Sequence, residues 1–574
     1  MRTTQILAEA MQGPAGSSSK KRMAPISRAS TAYRRKRAVT ACQVCRARRT
    51  KCDQKVPCSF CAENGAECVF EPANLSTFDP ASLFIIDRLE QIERRLDADP
   101  RSSTWRRAEA PPSSEPLSPP LPLHNFLPES LEAVLKWPVF QDVTLSITST
   151  PGSVSSWITS SDMALGSVDE LDSISCNRWL DSFFSNVHVK NPILDEESTR
   201  RLVRRLYLEG VGWDATSCLA LIVCANGALA RPFSSPSLSQ QELRGSNAML
   251  LFAAAQKRLG PMLISSGIVQ AQCLYLNGVF LMSILQPIEA WRMFLLGLAI
   301  CQTLGSVRHP GATDLGDTYS DMTAEESIYW SCWKSEQELR IELGSVSVGT
   351  PTLSPPTLFP SLPAGCSGQN LRAWYFYLSE ISLWRLENDV KNEITRLVTK
   401  AHSGIFDTLA ELSASTLEQV AAWRDSLAPI VSLNGHDPLE EQDDVLRFVL
   451  RGRLTHIHEL ITWSFVCAAL HSGNVSPTVL DWAAKGLAYH MDRLAVNRPG
   501  FYHRHHGTWL LLQTSARSAC ILLAFARRPD STNFMPKDWR GAVERTLELL
   551  MFWQTNMDWL DGPVDMIQRL LMQV

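Results

Sequence analysis

Apolar residues recur every three or four positions through most of the chain from about Asp169 onward. This spacing is typical of amphipathic helices, and Gly, Pro and Ser separate one apolar segment from the next. Alternating strand patterns do not occur in series. The pattern therefore predicts a large all-α domain over 169–574, interrupted by long breaks at 343–370 and 430–442. The predicted helices cover 176–188, 196–209, 213–230, 246–259, 267–285, 288–304, 323–342, 371–400, 404–427, 443–470, 476–495, 507–528 and 538–560.

Two stretches lack this periodicity. Residues 1–38 are rich in Ser, Ala and basic residues, and residues 99–168 are rich in Pro and Ser. Such compositions cannot bury enough apolar surface to fold, so we expect a disordered basic N-terminus and a poorly ordered linker.

A short helical pattern lies between them, within a linker region at 72–98. A heptad pattern begins at Ser82 and continues through the apolar residues Ile85, Leu89, Ile92 and Leu96 at a and d positions. Arg88 then lies at a g position and Glu93 at an e position. In a parallel pair these charges would face each other with opposite sign, which predicts a homodimeric coiled coil through 82–97. The alternative is an amphipathic helix that packs on its own chain.

Six cysteines within the segment 39–71 form an internal repeat: the spacing of Cys42, Cys45 and Cys52 is repeated by Cys58, Cys61 and Cys68. Thiolates at C-x2-C spacing suit zinc, which prefers four tetrahedral ligands. Six thiolates can hold two zinc ions only if two of them bridge both metals. By symmetry, Cys42 and Cys58 are the natural bridging pair.

Charge distinguishes the two halves of the repeat. Four cations lie between the last two cysteines of the first half (Arg46, Arg48, Arg49 and Lys51), whereas two acids and no cation lie in the second. Residues 1–71 carry 14 Lys and Arg against 5 Asp and Glu, a net charge of +9, so the whole-chain charge of −4 leaves −13 for the remainder. A basic head on an acidic body predicts DNA binding at one end. The basic run Arg34, Arg35, Lys36 and Arg37 is a candidate nuclear-import signal.

Other interpretations of the cysteines fit less well. A disulfide framework would need an oxidising compartment, and the N-terminus lacks the apolar core of a secretory signal. A redox C-x-x-C pair does not require six cysteines in a repeat. A purely structural zinc knuckle leaves the one-sided cations without a role.

The stretch resembles the fungal Zn(2)Cys(6) binuclear cluster, through Ala41-Cys42, Cys45-Arg46, Arg48-Arg49, Lys51-Cys52-Asp53, Pro57-Cys58, Cys61, Gly65 and Cys68. The resemblance implies a module with two short helices and two zinc ions that places a helix in the DNA major groove, usually at CGG half-sites. It assigns base reading to Arg48 and Arg49. Arg stands at the second position, where the family often has Lys, and Arg can also reach guanine O6 and N7. Arg46, Lys51 and Lys55 would contact phosphate.

Parts of 175–530 resemble the regulatory region of filamentous-fungal zinc-cluster factors, the middle homology region. The matching pieces begin at Trp179, His188, Ala271, Ala290 and Tyr329. The resemblance implies a body that modulates activity through intramolecular inhibition, an effector or co-regulators.

Catalytic motifs are not apparent in the sequence: it shows no phosphate loop, nucleophile elbow or HExxH. His503, His505 and His506 are expected in a solvated turn, and His456 and His458 do not share a helix face. Lys334 and Glu336 are expected to be surface charges or internal ion pairs. The nine remaining cysteines are expected to be buried thiols, and no membrane span is expected.

Aromatic and acidic residues mix near the C-terminus, between Met551 and Met566. They suit either an amphipathic activation segment or a terminal helix packed on the body.

Together these features predict a nuclear, zinc-dependent transcription factor that binds double-stranded DNA and recruits co-regulators. We expect an activator without enzymatic activity, with control of a secondary-metabolite gene cluster as its role. The competing hypothesis is an interaction or co-regulator protein in which zinc merely folds the head.

Overall fold

The computed structural model describes residues 41–69, 126–142, 171–233, 246–304, 318–344, 353–363, 365–400, 404–434, 444–529 and 534–574, apart from residues 54, 358 and 474. The contacts divide the chain into two units, with the boundary after Leu117. We call residues 41–69 the head and the described residues from 126 onward the body. The import candidates Arg34–Arg37 and the dimer seam Ile85–Leu96 lie outside the described residues, as do 99–125 and 143–168 of the predicted linker.

The head contains two five-residue helices, α1 (Gln43–Ala47) and α2 (Ser59–Glu63). Its buried side chains, among the described residues, are five of the six cysteines. A module of this size has no apolar core of its own, so it needs another source of stability.

The body is all-α in its described residues, as predicted. Its helices are α3 (Leu131–Val134), α4 (Ser173–Asn186), α5 (Glu196–Glu209), α6 (Ala215–Leu229), α7 (Asn247–Gln256), α8 (Leu259–Met262), α9 (Ile268–Ser283), α10 (Pro287–Cys301), α11 (Thr318–Leu343), α12 (Gly368–Thr399), α13 (Ile405–Ser426), α14 (Val445–His471), α15 (Pro477–Asn497), α16 (Thr508–Ala526), α17 (Trp539–Gln554) and α18 (Asp561–Gln573).

Several helices begin at an aspartate or serine whose side chain accepts a backbone N–H of the first turn. Asp172, Asp195 and Asp214 cap α4, α5 and α6, and Ser476 caps α15. Each cap satisfies donors that the helix itself leaves unpaired. These local signals explain why most predicted helix starts lie within a few residues of the observed ones.

Several pairs of consecutive helices pack against each other. α14 packs along α15, α9 along α10, and α6 along α7. One continuous apolar core runs through the body and includes large side chains from distant segments, such as Trp330, Trp463, Trp509 and Trp553. The Trp330 and Trp333 rings are therefore core residues.

Residues 126–142 differ from the linker prediction. Phe126, Trp137 and Phe140 are buried in the core of the body. Arg527 pairs with Asp142, with a nitrogen–oxygen distance of 2.5 Å. The Pro-rich composition around this segment concealed it, because single apolar anchors without periodicity give no helical signal.

The C-terminal residues pack on the body. Trp553, Leu560 and Met566 are at most 1% exposed. Of the two interpretations of this tail, the packed helix is therefore the one observed; helix α18 itself was not predicted.

Helix α16 has the length and apolar composition of a membrane span, and 83% of that window is buried inside the body. It also carries the buried Arg517, whose guanidinium pairs with Glu342 at 2.6 Å. It is a core helix in this structure.

Candidate metal centre and nucleic-acid interface

The repeat of the cysteines extends to the backbone of the head. Helix α1 begins directly after Cys42, and α2 begins directly after Cys58, the equivalent cysteine of the second half. After α1, the N–H of Thr50 donates to the carbonyl of Cys45 at 3.0 Å, and after α2 the N–H of Ala66 donates to that of Cys61 at 3.0 Å. The two halves therefore form the same helix-and-turn structure twice.

The sulfur atoms of the two halves meet at the centre of the head. Cys42 Sγ lies 3.8 Å from Cys58 Sγ and 3.6 Å from Cys61 Sγ, and Cys45 Sγ lies 3.6 Å from Cys58 Sγ. The sulfurs of Cys42, Cys45, Cys58 and Cys61 all lie within 4.8 Å of one another. All four of these cysteines therefore contact a sulfur from the opposite half, as shared metal binding requires.

The chemistry of the thiols fits a metal centre. The backbone N–H of Cys45 lowers the pKa of Cys42 to about 6, whereas burial raises the pKa of Cys45 to about 12. Without a cation, neighbouring thiols this close cannot all be deprotonated, because each thiolate disfavours the next. Zinc binding would supply the charge that holds all six as thiolates.

Each half contains one residue with a left-handed backbone, at equivalent positions. Arg49 has a φ of 54° and Gly65 a φ of 60°. Glycine adopts this conformation freely, while a residue with a Cβ is disfavoured by about 1–2 kcal/mol. The first half therefore keeps an arginine where the backbone favours glycine.

The cations of the first half face solvent. Arg48, Arg49, Lys51 and Lys55 are exposed. Arg46 lies in α1, and its side chain is outside the described residues. The equivalent surface of the second half presents exposed Glu63 and Glu67. One half of the head is thus a cationic surface and the other an anionic one.

Asp53 is a structural residue that sequence reasoning did not assign. Its carboxylate accepts the backbone N–H of Ser59 at 3.0 Å and the Ser59 hydroxyl at 2.6 Å. These hydrogen bonds lower the pKa of Asp53. The residue connects the end of the first half to the start of α2, and its place directly after Cys52 is the sequence signal that could have indicated this.

The histidine cluster of the body contradicts its prediction. His503 and His505 are 6% and 9% exposed, so they do not lie in a solvated turn. Their rings stack with centroids 5.2 Å apart, and Phe233 and Phe448 pack around them. Neighbouring apolar helices cover a segment whose local composition resembles a surface loop.

Two other predictions about charged groups in the body are confirmed. His456 lies 3.3 Å from Glu387, while His458 stacks on Tyr489, so the two histidines face different neighbours. Glu336 is fully buried, pairs with Arg340 at 2.6 Å and accepts the indole N–H of Trp291 at 3.0 Å.

The remaining cysteines are free thiols, and all of them except the half-buried Cys366 are buried. This agrees with the expectation of buried thiols in the body.

Comparison with known proteins agrees with the geometry of the head. Residues 40–75 match the family model described as the fungal Zn(2)-Cys(6) binuclear cluster domain. The segment is therefore a binuclear cluster domain, which holds two zinc ions.

A stretch of 271 residues is 27% identical to a protein of Aspergillus rugulosus named "Putative transcription factor ecdB". The match covers 45% of this chain and 45% of that relative. The chain thus aligns with less than half of the relative's length.

Proposed function

We propose that this protein is a zinc-dependent, sequence-specific DNA-binding transcription factor. The observation that carries the proposal is the charge asymmetry of the head: two halves with one backbone structure present cations on one side and acids on the other. A metal-binding role alone requires only the shared structure. The cations of the first half add a surface suited to a polyanion such as DNA.

The residue roles follow from this arrangement. All six cysteines serve as zinc ligands, with Cys42 and Cys58 bridging the two metals. Arg48 and Arg49 contact base edges in the major groove of a CGG-like half-site, where a guanidinium can donate to guanine O6 and N7. Arg46, Lys51 and Lys55 contact phosphates, together with the basic run 34–37.

The wider function extends the same proposal. The run 34–37 directs import into the nucleus, and the heptads at 82–97 form a homodimer. The body recruits co-regulators, and the protein acts as an activator, with a secondary-metabolite gene cluster as its target. Support for these roles comes from the sequence pattern, from the resemblance of 175–530 to regulatory regions and from the name of the Aspergillus relative.

Salt-dependent binding to a CGG-containing duplex tests the proposal. With about six phosphate contacts, log K should fall against log salt with a slope near −5. Lys51→Ala should reduce the magnitude of that slope by about 0.9, because one fewer counterion is released. Glu67→Ala, at the equivalent position of the second half, serves as the matched control and should leave the slope of the wild type in place.

Contrary results would favour the other class of function. A flat salt response would mean that the head does not bind the DNA backbone. If Lys51→Ala and Glu67→Ala changed the salt slope of DNA binding equally, the first half would have no special role in that binding. Either result would support the competing hypothesis of an interaction protein, in which zinc serves only to fold the head.

A further inference from the structure

A partly open cavity of about 170 Å³ lies in the body, between helices α11, α12, α14, α15 and α16 and two connecting segments. Most cavities of this kind are lined by apolar side chains with a few polar groups. In this one, several charged residues stand among apolar side chains such as Phe448, Leu510 and Leu511, and we call it the ionic cavity. Its charged lining includes Lys190, Glu338, Glu342, Glu380, Glu387 and Arg453.

Each carboxylate of the ionic cavity already has a cationic partner. Arg453 pairs with Glu338 at 2.9 Å and with Glu387 at 2.7 Å. Glu342 pairs with Arg517 at 2.6 Å, and Glu380 pairs with Lys334. Buried ions are tolerated when they are paired in this way.

Lys190 is the exception. It follows helix α4 in the turn His188–Lys190, and it is only 5% exposed. Among the described residues, no carboxylate oxygen lies within 4.0 Å of its ammonium. Burial lowers its pKa to about 8, so the group is still largely protonated at neutral pH. The cavity therefore contains a buried cation that has no counter-ion in the described part of the chain.

His505 also lines the cavity, and its ring contains a buried donor without a partner among the described residues. Its Nδ1 accepts the N–H of Gly507 at 2.9 Å, so in the neutral ring the proton is on Nε2. Nε2 is buried without a partner. A Cβ at residue 507 would lie 2.8 Å from Cε1 of His505, so glycine permits this close approach of the ring.

Two further polar atoms of the lining also have no partner: Glu342 Oε2, which can accept, and the indole Nε1 of Trp384, which can donate. Water molecules could satisfy such dipoles. Water cannot neutralise the ammonium of Lys190, which calls for an anion.

We propose that the ionic cavity binds a small organic carboxylate, whose anionic group pairs with Lys190 and accepts from His505. A hydroxyl or amino group elsewhere on the ligand would donate to Glu342. A closed cavity of about 150 Å³ holds benzene, so a compact acid of about one ring fits the space beside Lys190. This site is separate from DNA binding and would give the body a small-molecule ligand.

Thermal unfolding of the full-length, zinc-loaded protein tests the proposal, with far-ultraviolet circular dichroism reporting on the helices of the body. The probes are acetate, malate, benzoate and 4-hydroxybenzoate, with benzamide and sodium chloride as controls at equal ionic strength. At least one acid should raise the Tm by an amount that grows with the logarithm of its concentration. Benzamide, which has the shape of benzoate without its charge, should give no such shift.

Lys190→Met and Lys334→Met form a matched pair of variants, since both lysines are buried and only Lys334 has a carboxylate partner. Lys190→Met should raise the Tm of the free protein and weaken binding of the acid by roughly 30-fold or more, as expected for loss of one partner of a buried charge pair. Lys334→Met should lower the Tm, because it leaves Glu380 buried and unpaired.

Three outcomes would overturn the proposal. The first is that no acid shifts the Tm up to its solubility limit. The second is that chloride or benzamide gives the same shift as the acids, which would indicate an adventitious ion only or nonspecific binding. The third is that Lys190→Met retains the affinity of the wild type in calorimetry.

Discussion

In the first half of the head, helix α1 is followed by exposed cations, whereas in the second half the equivalent helix α2 ends at the exposed Glu63 and is followed by the exposed Glu67. The backbone is the same in both halves, including the left-handed residue at the equivalent positions 49 and 65. The repeat therefore separates two requirements. What both halves share is needed to hold metal, and what only the first half has is available for recognition of a partner.

Among the substitutions that test this difference between the halves, loss of a bridging thiolate should have the largest effect on the stability of the head. Cys42→Ala removes a ligand from both metals, so the head should lose both zinc ions and unfold, since structural zinc contributes roughly 10–16 kcal/mol to such modules. Native mass spectrometry measures the zinc content.

Cys52→Ala is the control, because a terminal ligand serves one metal, and it should retain one zinc ion. If Cys42→Ala retained one zinc ion and Cys52→Ala none, the bridging assignment would be reversed. The helical circular dichroism of the body should be unchanged in both variants.

Arg49 and Gly65 occupy equivalent positions in the two halves, so substitutions there can separate the role of the side chain from that of the backbone. Arg49→Ala should weaken binding to the preferred half-site by about 1–3 kcal/mol and relax base preference there. Arg49→Gly should lose the same base contact while stabilising the head by about 1 kcal/mol, because glycine suits the left-handed backbone.

Gly65→Ala is the mirror substitution. It should destabilise the head by about 1 kcal/mol without changing base preference. Binding titrations on duplexes that differ at one base pair measure these effects. An equal loss for Arg49→Ala on every duplex would make Arg49 a phosphate contact.

The smallest expected effect concerns the junction between the halves. Asp53→Ala removes the acceptor of the Ser59 N–H and hydroxyl, and it should destabilise the head by about 0.5–2 kcal/mol, the range for a helix cap. Asp53→Asn keeps an acceptor and should recover most of that loss. Zinc-competition titration with a chelator follows the change; unchanged zinc affinity in Asp53→Ala would show that the junction does not need this hydrogen bond.

The sequence was sufficient to predict the head because its information is local. The six cysteines and the cations between them all lie in the short stretch from Cys42 to Cys68. The spacing of the cysteines predicts the two-fold repeat of the backbone, and the residue types between them predict which half is cationic. The left-handed backbone at Arg49 could not be predicted, since arginine is not the residue that such a conformation favours.

The ionic cavity could not be predicted for a different reason. Lys190 and His505 are distant in the sequence, and each lies in a turn whose polar composition indicates a surface. Helical periodicity shows which residues face the core but not which helices pack together. The burial of these two side chains is decided by that packing.

The three aromatic anchors of residues 126–142 have a consequence for how the protein can be divided. Phe126, Trp137 and Phe140 fill the core of the body, and the carbonyl of Glu129 accepts from Arg517 at 3.0 Å. A fragment that starts at residue 169 would expose the apolar surface they cover, at about 1.5–3 kcal/mol for each side chain lost. It would also remove the Glu129 carbonyl that accepts a hydrogen bond from the buried guanidinium of Arg517. An expressible regulatory fragment must therefore begin upstream of Phe126, and proteolysis between 143 and 170 need not release this segment from the body.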